Sequence, residues 1–194
     1  MSRFEAAEWD ERYRTSGHNL SHPREFLVEN LNLFPVTGWG LDVAMGEGHN
    51  ANLLVERGLQ VVGIDFSMVA LQKAHQKFPE LNLVLVNLPA VNLAHQFEVI
   101  LNFWFLDREM FPLYRQLLAP GGFLMVETMR FDPDRDQSHL NEEYLLQPGE
   151  LLQVFSGWEL IVYDENISAM VKGQQQLAVR MLARKPADWS KEIR

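Results

Sequence analysis

Two short segments of the chain carry residue types that could bind a ligand. The first is the loop Leu41-Asp-Val-Ala-Met-Gly-Glu-Gly-His-Asn-Ala51, and the second is Asp65, nineteen positions after Gly46. Glycine lets the backbone approach a ligand closely, and the helix that follows such a loop begins with free N–H donors. A carboxylate at the end of the next strand can accept both hydroxyl groups of a ribose. An ordinary turn would explain the loop by itself, and a role as a helix cap would explain Asp65 by itself. Together, the loop and Asp65 predict a site for an adenosine-containing cofactor.

The residues inside the loop bear on the identity of that cofactor. Gly46, Gly48 and Ala51 fit the G-x-G-x-x-G/A pattern of dinucleotide-binding folds, so NAD is one candidate. Glu47 and Asp42 argue against NAD, because a pyrophosphate would meet like charges there. We expect these two carboxylates to form an acidic rim that favours a ligand with an ammonium group and a sulfonium. S-adenosylmethionine has both groups.

Alternating strands and helices surround these segments and must position them. Hydrophobic patterning and turn residues predict helices over residues 4–16, 23–33, 50–57 and 108–118, and another that Ser67 caps and Pro79 ends. Apolar and β-branched runs predict strands over residues 39–43, 59–64, 83–86, 97–103 and 123–128. Such alternation is typical of parallel strands joined by helical crossovers, with helices on both faces of the sheet.

The end of the chain departs from this alternation. Residues 160–163 and 177–182 are strand-like, and only a loop around Gly173 separates them. These two strands are therefore predicted to pair as an antiparallel hairpin. The whole pattern favours an α/β fold with a doubly wound, mostly parallel sheet.

Composition limits the classes of function that remain. The chain has 194 residues and no cysteine, which excludes disulfides, cysteine nucleophiles and cysteine-ligated metals. Its six histidines show no metal-ligand spacing, so no metal site is expected. The formal charge of −9 disfavours nucleic acid as a partner. We found neither a signal-peptide core nor a stretch long enough to span a bilayer, and we expect a soluble cytoplasmic protein that does not bind membranes.

Six motifs in order along the chain resemble those of a known family. They are Trp9-Asp-Glu-Arg-Tyr13, Leu41-Asp-Val-Ala-Met-Gly-Glu-Gly48, Val62-Gly-Ile-Asp-Phe-Ser67, Asn102-Phe-Trp-Phe-Leu106, Leu118-Ala-Pro-Gly-Gly122 and Pro148-Gly-Glu-Leu-Leu152. Each motif is weak alone, but their order and spacing resemble class I S-adenosylmethionine-dependent methyltransferases. Within that class the chain is most similar to the small tellurite-resistance and thiopurine type. Two positions depart from the usual pattern: Ala44 replaces the first loop glycine, and Asn87 stands where an aspartate often meets the adenine amine.

The resemblance implies a Rossmann-like sheet of seven strands in the order 3-2-1-4-5-7-6, with strand 7 antiparallel. It also implies one methyltransferase domain over residues 1–194, formed by a helical cap (1–34) and an α/β core (35–194). Its cofactor would be S-adenosylmethionine. The implied cofactor-binding residues are Asp42, Ala44, Met45, Gly46, Gly48, Asp65, Phe66, Ser67, Met68, Asn87, Leu88, Pro89, Asn102 and Phe103. Among them, Asp65 would hold the ribose, Phe66 and Met68 would flank the adenine, and Asn102 and Phe103 would lie under the sulfonium.

Residues for the methyl acceptor are less defined. Trp9, Arg12 and Tyr13 resemble residues that cap the cofactor, although Trp9 would also serve to pack its helix on the sheet. Trp104 is our candidate for the cleft wall, where its ring would favour a cationic or flat acceptor. Arg108 and Arg130 could bind an anionic acceptor or pair with nearby carboxylates.

Methyl transfer from a sulfonium needs little help from acids or bases, because the leaving group is neutral. The protein must mainly place a nucleophile in line and exclude water, so no catalytic residue is assigned. The favoured function is methyl transfer to a small-molecule nucleophile. An NAD-dependent oxidoreductase and a non-catalytic protein that binds S-adenosylmethionine remain as alternatives.

Overall fold

The computed structural model describes residues 6–15, 22–87, 93, 95–135, 137, 140–171 and 174–188. Within these ranges a helix follows the first, the second and the fourth strand, as the sequence predicts. The helices are α1 (Ala6–Arg14), α2 (Glu25–Asn30), α3 (His49–Arg57), α4 (Met68–Lys77), α5 (Met110–Leu117) and α6 (Glu150–Val154). The strands are β1 (Trp39–Val43), β2 (Gln60–Asp65), β3 (Asn82–Leu85), β4 (Phe97–Phe103), β5 (Leu118–Met129), β6 (Glu159–Val171) and β7 (Gln174–Arg184).

The strands form one seven-stranded sheet in the order β3-β2-β1-β4-β5-β7-β6. Strands β1 to β5 pair in parallel, whereas β7 runs antiparallel to both β5 and β6. The fold class, the strand order and the antiparallel hairpin are therefore confirmed. Val43 lies beside Ile64 of β2 and Asn102 of β4, so the carboxyl ends of these three strands meet at one edge of the sheet.

Two hydrophobic layers cover the sheet. One contains Leu41, Ile100 and Tyr114 of α5, and the other contains Leu101 and Leu54 of α3. Because consecutive side chains of a strand point to opposite faces, Ile100 and Leu101 belong to different layers. Burial on both faces holds the sheet edge rigidly in place for a site built on its loops.

Several element boundaries differ from the predicted ones. Strand β5 begins at Leu118 rather than at residue 123, because Leu118 pairs with Phe97 before the Pro-Gly-Gly segment interrupts the register. The predicted helix over 23–33 is α2 followed by a short 3-10 helix, Leu31–Leu33. The hairpin is longer than predicted: β6 and β7 stay paired from Ser168 to Val171, beyond the last pairing of β7 with β5. On β7 the extension consists of Gln174, Gln175 and Gln176, which give no apolar alternation.

No helix in the ranges given above is both long and apolar enough to cross a bilayer.

Candidate cofactor and acceptor site

The loop after β1 takes the sharp turn that its composition predicts. Gly46 and Gly48 have φ angles of 57° and 84°, in the left-handed region that favours glycine. Ala44 also has a positive φ, 53°, so alanine adopts the strained conformation that glycine takes in the usual pattern. The turn leads directly into α3, for which Gly48 is the N-cap residue.

Asp65 joins the loop to the start of α4. Its side chain is buried, and its Oδ2 accepts a hydrogen bond from the backbone N–H of Gly46 at 2.8 Å. Its Oδ1 accepts a second from the N–H of Ser67, also at 2.8 Å. Burial raises the pKa of Asp65, and the N–H groups of Ser67, Gly46 and Phe66 oppose that rise. The carboxylate therefore holds two segments of the site together, and its remaining lone pairs can accept further hydrogen bonds.

Asp42 is a buried carboxyl near the carboxyl end of β1. It is only 1% exposed, and its Oδ2 has no hydrogen-bond partner among the described residues. Burial raises the pKa of Asp42 to about 8, against a hydrogen bond from the N–H of Ala51 and with a further rise from Asp65. A cationic group bound at that oxygen would favour the ionised form.

Asn102 leaves a second buried oxygen without a partner, at the end of β4. Its Nδ2 donates to the hydroxyl of Tyr114 at 2.8 Å, while its Oδ1 has no partner in the described part of the chain. Val43 is the register partner of Asn102, so Asp42 and Asn102 point to opposite faces of the sheet. Asp42 and Asn102 thus each place an unpartnered acceptor oxygen at this edge, on opposite faces of the sheet. A ligand with positive charge near both oxygens would fit this arrangement.

Glu47 does not contribute to an acidic rim, contrary to the prediction. Its side chain is buried and forms ion pairs with Lys73 and Lys77 of α4, the first at 3.1 Å. Burial alone would raise the pKa of Glu47, but the hydrogen bonds and charges of Lys77 and Lys73 outweigh it and lower the pKa. Because the two lysines balance its charge, Glu47 anchors the loop to α4, and of the predicted pair Asp42 alone keeps a free oxygen.

Met45 packs the loop tightly against β2. A Cβ atom placed on Gly63 would lie 1.9 Å from the sulfur of Met45, so β2 has no room for a side chain there. We expect Gly63→Ala to lower the free energy of unfolding by about 1–3 kcal/mol, measured by urea titration. Because the clash involves Met45, the double variant with Met45→Ala should lose less stability than the two single variants summed. Strict additivity would contradict this packing.

The first helix covers the glycine loop. Tyr13 is buried, and its hydroxyl would lie 2.7 Å from a Cβ atom added to Gly46. The ring of Trp9 packs edge-on against Phe66 at a centroid distance of 6.1 Å, and the guanidinium of Arg12 lies 4.6 Å from the centre of the Trp9 ring. The structure therefore brings Trp9, Tyr13, Gly46 and Phe66 together.

Three hydrogen bonds hold α1 in this position. Asp10 accepts hydrogen bonds from the hydroxyl of Ser67 at 2.6 Å and from the N–H of Val69 at 3.2 Å. Lys73 donates to the backbone oxygen of Tyr13 at 2.5 Å. Ser67 also accepts from the N–H of Ala70, so it caps α4 as predicted while it binds α1. Sequence reasoning missed Asp10, whose partners lie in a distant helix.

The residues expected around the adenine are only partly described. Met68 begins α4 and is 45% exposed, close in sequence to the half-buried Phe66. Asn87 is exposed just after β3. Leu88 and Pro89 lie outside the described residues. No structural finding tests these adenine contacts, and they remain predictions.

Trp104, which directly follows β4, has an unusual backbone conformation. It follows the buried Phe103 directly and has a φ of 58°, which is rare for a bulky residue. Its Nε1 donates to the side chain of Glu127 at 3.0 Å. Glu127 is buried and forms an ion pair with Arg180 of β7 at 2.6 Å. Neither Glu127 nor Arg180 belongs to a recognisable motif.

Arg108 and Arg130 are engaged in contacts within the protein. Arg108 binds both carboxylate oxygens of Glu150, at 2.7 and 2.9 Å, and two backbone carbonyls. Arg130 donates to two backbone carbonyls and to Asn166 of β6. Of the two roles expected for Arg108, the geometry favours the pairing with a carboxylate. Both guanidinium groups hold loops and strands together, and neither is left free for an acceptor.

Comparison with known proteins gives a family match over the core of the site. Residues 41–122 match the family described as "Methyltransferase domain". A probable S-adenosylmethionine-dependent methyltransferase of Mycolicibacterium smegmatis is 28% identical over 134 residues, 62% of this chain and 51% of that protein. Hemagglutinin 1 of Eikenella corrodens is 30% identical over 164 residues, 75% of this chain and 54% of that protein. The chain spans about half the length of these curated relatives.

Solved structures share the fold. TehB from Haemophilus influenzae superposes with a TM-score of 0.76 at 20% identity, over 91% of this chain and 67% of that one. A 1,6-didemethyltoxoflavin N1-methyltransferase from Burkholderia thailandensis, bound to its substrate and S-adenosylhomocysteine, gives 0.67 at 14% identity over 93% and 87%. The fold is thus the Rossmann-like fold of class I methyltransferases. Residues 41–122, which contain the glycine loop and Asp65, therefore match a methyltransferase domain within a methyltransferase-like fold.

Proposed function

We propose that the protein transfers the methyl group of S-adenosylmethionine to a small-molecule nucleophile. The observation that carries this proposal is the joined pair of Asp65 and the glycine loop, linked by the hydrogen bond from Gly46 to Asp65 inside the matched methyltransferase domain. The unpartnered oxygens of Asp42 and Asn102 support a cofactor that carries positive charge.

The cofactor supplies an electrophilic methyl group on a neutral leaving group. The residues of the chain would then bind, orient and exclude water, so that a nucleophile approaches in line at about 3–3.5 Å. In this proposal the loop from Asp42 to Gly48 holds the methionine end and Asp65 holds the ribose. Trp9 and Tyr13 on α1 would close the site from water.

A small-molecule acceptor is supported by the fold neighbour that binds 1,6-didemethyltoxoflavin. The formal charge of −9 also supports an acceptor other than nucleic acid. The single domain of residues 1–194 and the cytoplasmic location belong to the same proposal. Fractionation of the host cells with an antibody to the protein tests the location.

Ligand-dependent thermal unfolding separates the cofactor classes. S-adenosylhomocysteine at about 100 times its Kd should stabilise the protein by about 2.7 kcal/mol, because only the folded state binds it. NAD at the same concentration should leave the melting temperature unchanged. A shift with NAD alone would overturn the proposal. Cofactor binding without methyl transfer to a broad panel of oxygen, nitrogen and sulfur nucleophiles would instead indicate a binding protein that retains the fold.

A further inference from the structure

Arg24 lies beside the glycine loop and over the acceptor side of the sheet edge. Its backbone N–H donates to Oδ1 of Asn50, in the first turn of α3, at 2.9 Å. Its guanidinium carbon stands 5.2 Å from the centre of the Trp104 ring. Since Trp104 follows the proposed sulfonium-facing residues Asn102 and Phe103, the guanidinium lies next to the place where an acceptor would bind.

The guanidinium of Arg24 makes no hydrogen bond or ion pair with any described residue. Its Nε is buried without a partner. Burial lowers the pKa of Arg24, and the carboxylate of Glu127 opposes that effect. By contrast, Arg108 and Arg130 use their guanidinium groups within the fold. Arg24 is therefore a partly buried cation whose guanidinium has hydrogen-bond donors that no described residue uses.

Trp104 is held firmly beneath this cation. Its backbone N–H donates to the carbonyl of Glu127 at 2.7 Å and its Nε1 to the carboxylate of Glu127 at 3.0 Å. These two hydrogen bonds to Glu127 hold the backbone of Trp104 at a φ of 58°. A bulky residue keeps this conformation only where its surroundings fix it. Such strain is typical of residues that position a ligand.

The local charges leave one positive charge unbalanced. Glu127 already pairs with Arg180, whose guanidinium lies 5.4 Å from the centre of the Phe26 ring. Two arginines and one carboxylate give a net charge of +1 in this cluster. That excess matches a singly charged carboxylate better than a doubly charged phosphate, and the planar fork of arginine binds a carboxylate through two hydrogen bonds.

We propose that Arg24, supported by Trp104, recognises a carboxylate on the methyl acceptor. This inference rests on the proposed function, because it assigns the substrate class of the same site. It also replaces Arg108 and Arg130 as the cation for an anionic acceptor. Arg24 is then a specificity-determining residue, and the nucleophilic atom of the acceptor lies elsewhere on the molecule.

Binding of benzoate to the protein loaded with S-adenosylhomocysteine tests the proposal. Benzamide is its neutral isostere and phenyl phosphate its doubly charged counterpart. The readout is the indole N–H resonance of Trp104, assigned with Trp104→Phe. Benzoate should shift that resonance saturably, with benzamide and phenyl phosphate each at least about tenfold weaker. Arg24→Gln should weaken benzoate about tenfold or more without changing benzamide, and Arg24→Lys should fall between.

Arg184→Gln is the matched control. The guanidinium of Arg184 also lies over an aromatic ring, 5.4 Å from the centre of Phe123, but Phe123 lies four residues before Glu127 on β5. Arg184→Gln should bind benzoate as the wild type does. Unchanged benzoate binding by folded Arg24→Gln would overturn the proposal. So would tighter binding of phenyl phosphate than of benzoate, or no response to benzoate.

Calorimetry with S-adenosylhomocysteine alone is done first, so that the two proposals fail separately. If the wild-type protein does not bind S-adenosylhomocysteine, the proposed function is contradicted. Titration of the free protein with benzoate would still show whether Arg24 binds carboxylates. Cofactor binding with benzoate insensitive to Arg24→Gln would contradict only the assignment of Arg24.

Discussion

Asp65→Ala should weaken the binding of S-adenosylhomocysteine by about 1.5–3 kcal/mol, roughly 10- to 100-fold, the range for hydrogen bonds to a charged group. It should also lower the free energy of unfolding by about 1–3 kcal/mol for each buried N–H that loses its acceptor. Gly46 and Ser67 both donate to this carboxylate. Calorimetry gives the affinity and urea titration the stability, with binding measured where both proteins are folded.

A thermodynamic cycle separates contact with the ribose from support of the loop. The binding of S-adenosylhomocysteine and of its 2′-deoxy analogue is compared in the wild type and in Asp65→Ala. If Asp65 accepts from the ribose, the two losses should not add, because each change removes the same hydrogen bond. Full additivity would show that Asp65 acts only through the loop. Unchanged binding of S-adenosylhomocysteine by folded Asp65→Ala would remove Asp65 from the cofactor site.

The fold follows closely from local sequence patterns. Strands β1 and β4 begin and end where their apolar runs predict, because their burial on both faces demands such runs. Ser67 predicts the start of α4 for a local reason, the hydrogen bond from Ala70 three residues later. The extension of the hairpin was missed, since Gln174, Gln175 and Gln176 on β7 pair through backbone groups that no side-chain pattern reveals.

The site could be predicted where its residues lie at strand ends. The prediction failed where side chains contact elements that are distant in the sequence. Asp65 and Gly46 come together because neighbouring parallel strands end at one edge. The charge of Glu47 was misjudged because its partners Lys73 and Lys77 lie a helix away. Arg24 stands in an unremarkable segment, and only the tertiary fold brings it over Trp104. Long-range pairing of charges is the information that spacing along the chain does not carry.

Asp42→Asn should make the protein more stable at neutral pH and weaken its hold on the cofactor. The pKa of Asp42 rises by burial from 3.8 to about 8, so folding must keep a proton on a group that is ionised in the unfolded chain. At about 1.4 kcal/mol per pKa unit, this cost reaches about 4 kcal/mol at pH 7. Asparagine has a similar shape and no charge, so the variant should recover up to that amount.

The direction of the pKa shift of Asp42 determines how the stability of the wild type changes with pH. Because the pKa of Asp42 is higher in the folded state, that state binds more protons between pH 3.8 and about 8, and the wild type loses stability as the pH rises through this window. Urea titrations from about pH 4 to pH 8 should therefore show a gap between Asp42→Asn and the wild type that widens with pH. Asp134→Asn, at an exposed position after β5, is the control and should follow the wild type.

Cofactor binding should move in the opposite direction from stability. A cation at Oδ2 of Asp42 favours the carboxylate, so the wild type should release a proton on binding S-adenosylhomocysteine near pH 7. Calorimetry in two buffers with different ionisation enthalpies measures that proton, and Asp42→Asn should abolish it and bind about tenfold or more weakly. A stabilised variant with unchanged affinity and unchanged proton release would show that the buried carboxyl lies outside the cofactor site. If Asp42→Asn is stabilised and loses both cofactor affinity and proton release, the burial of Asp42 costs stability because the cofactor needs its charge.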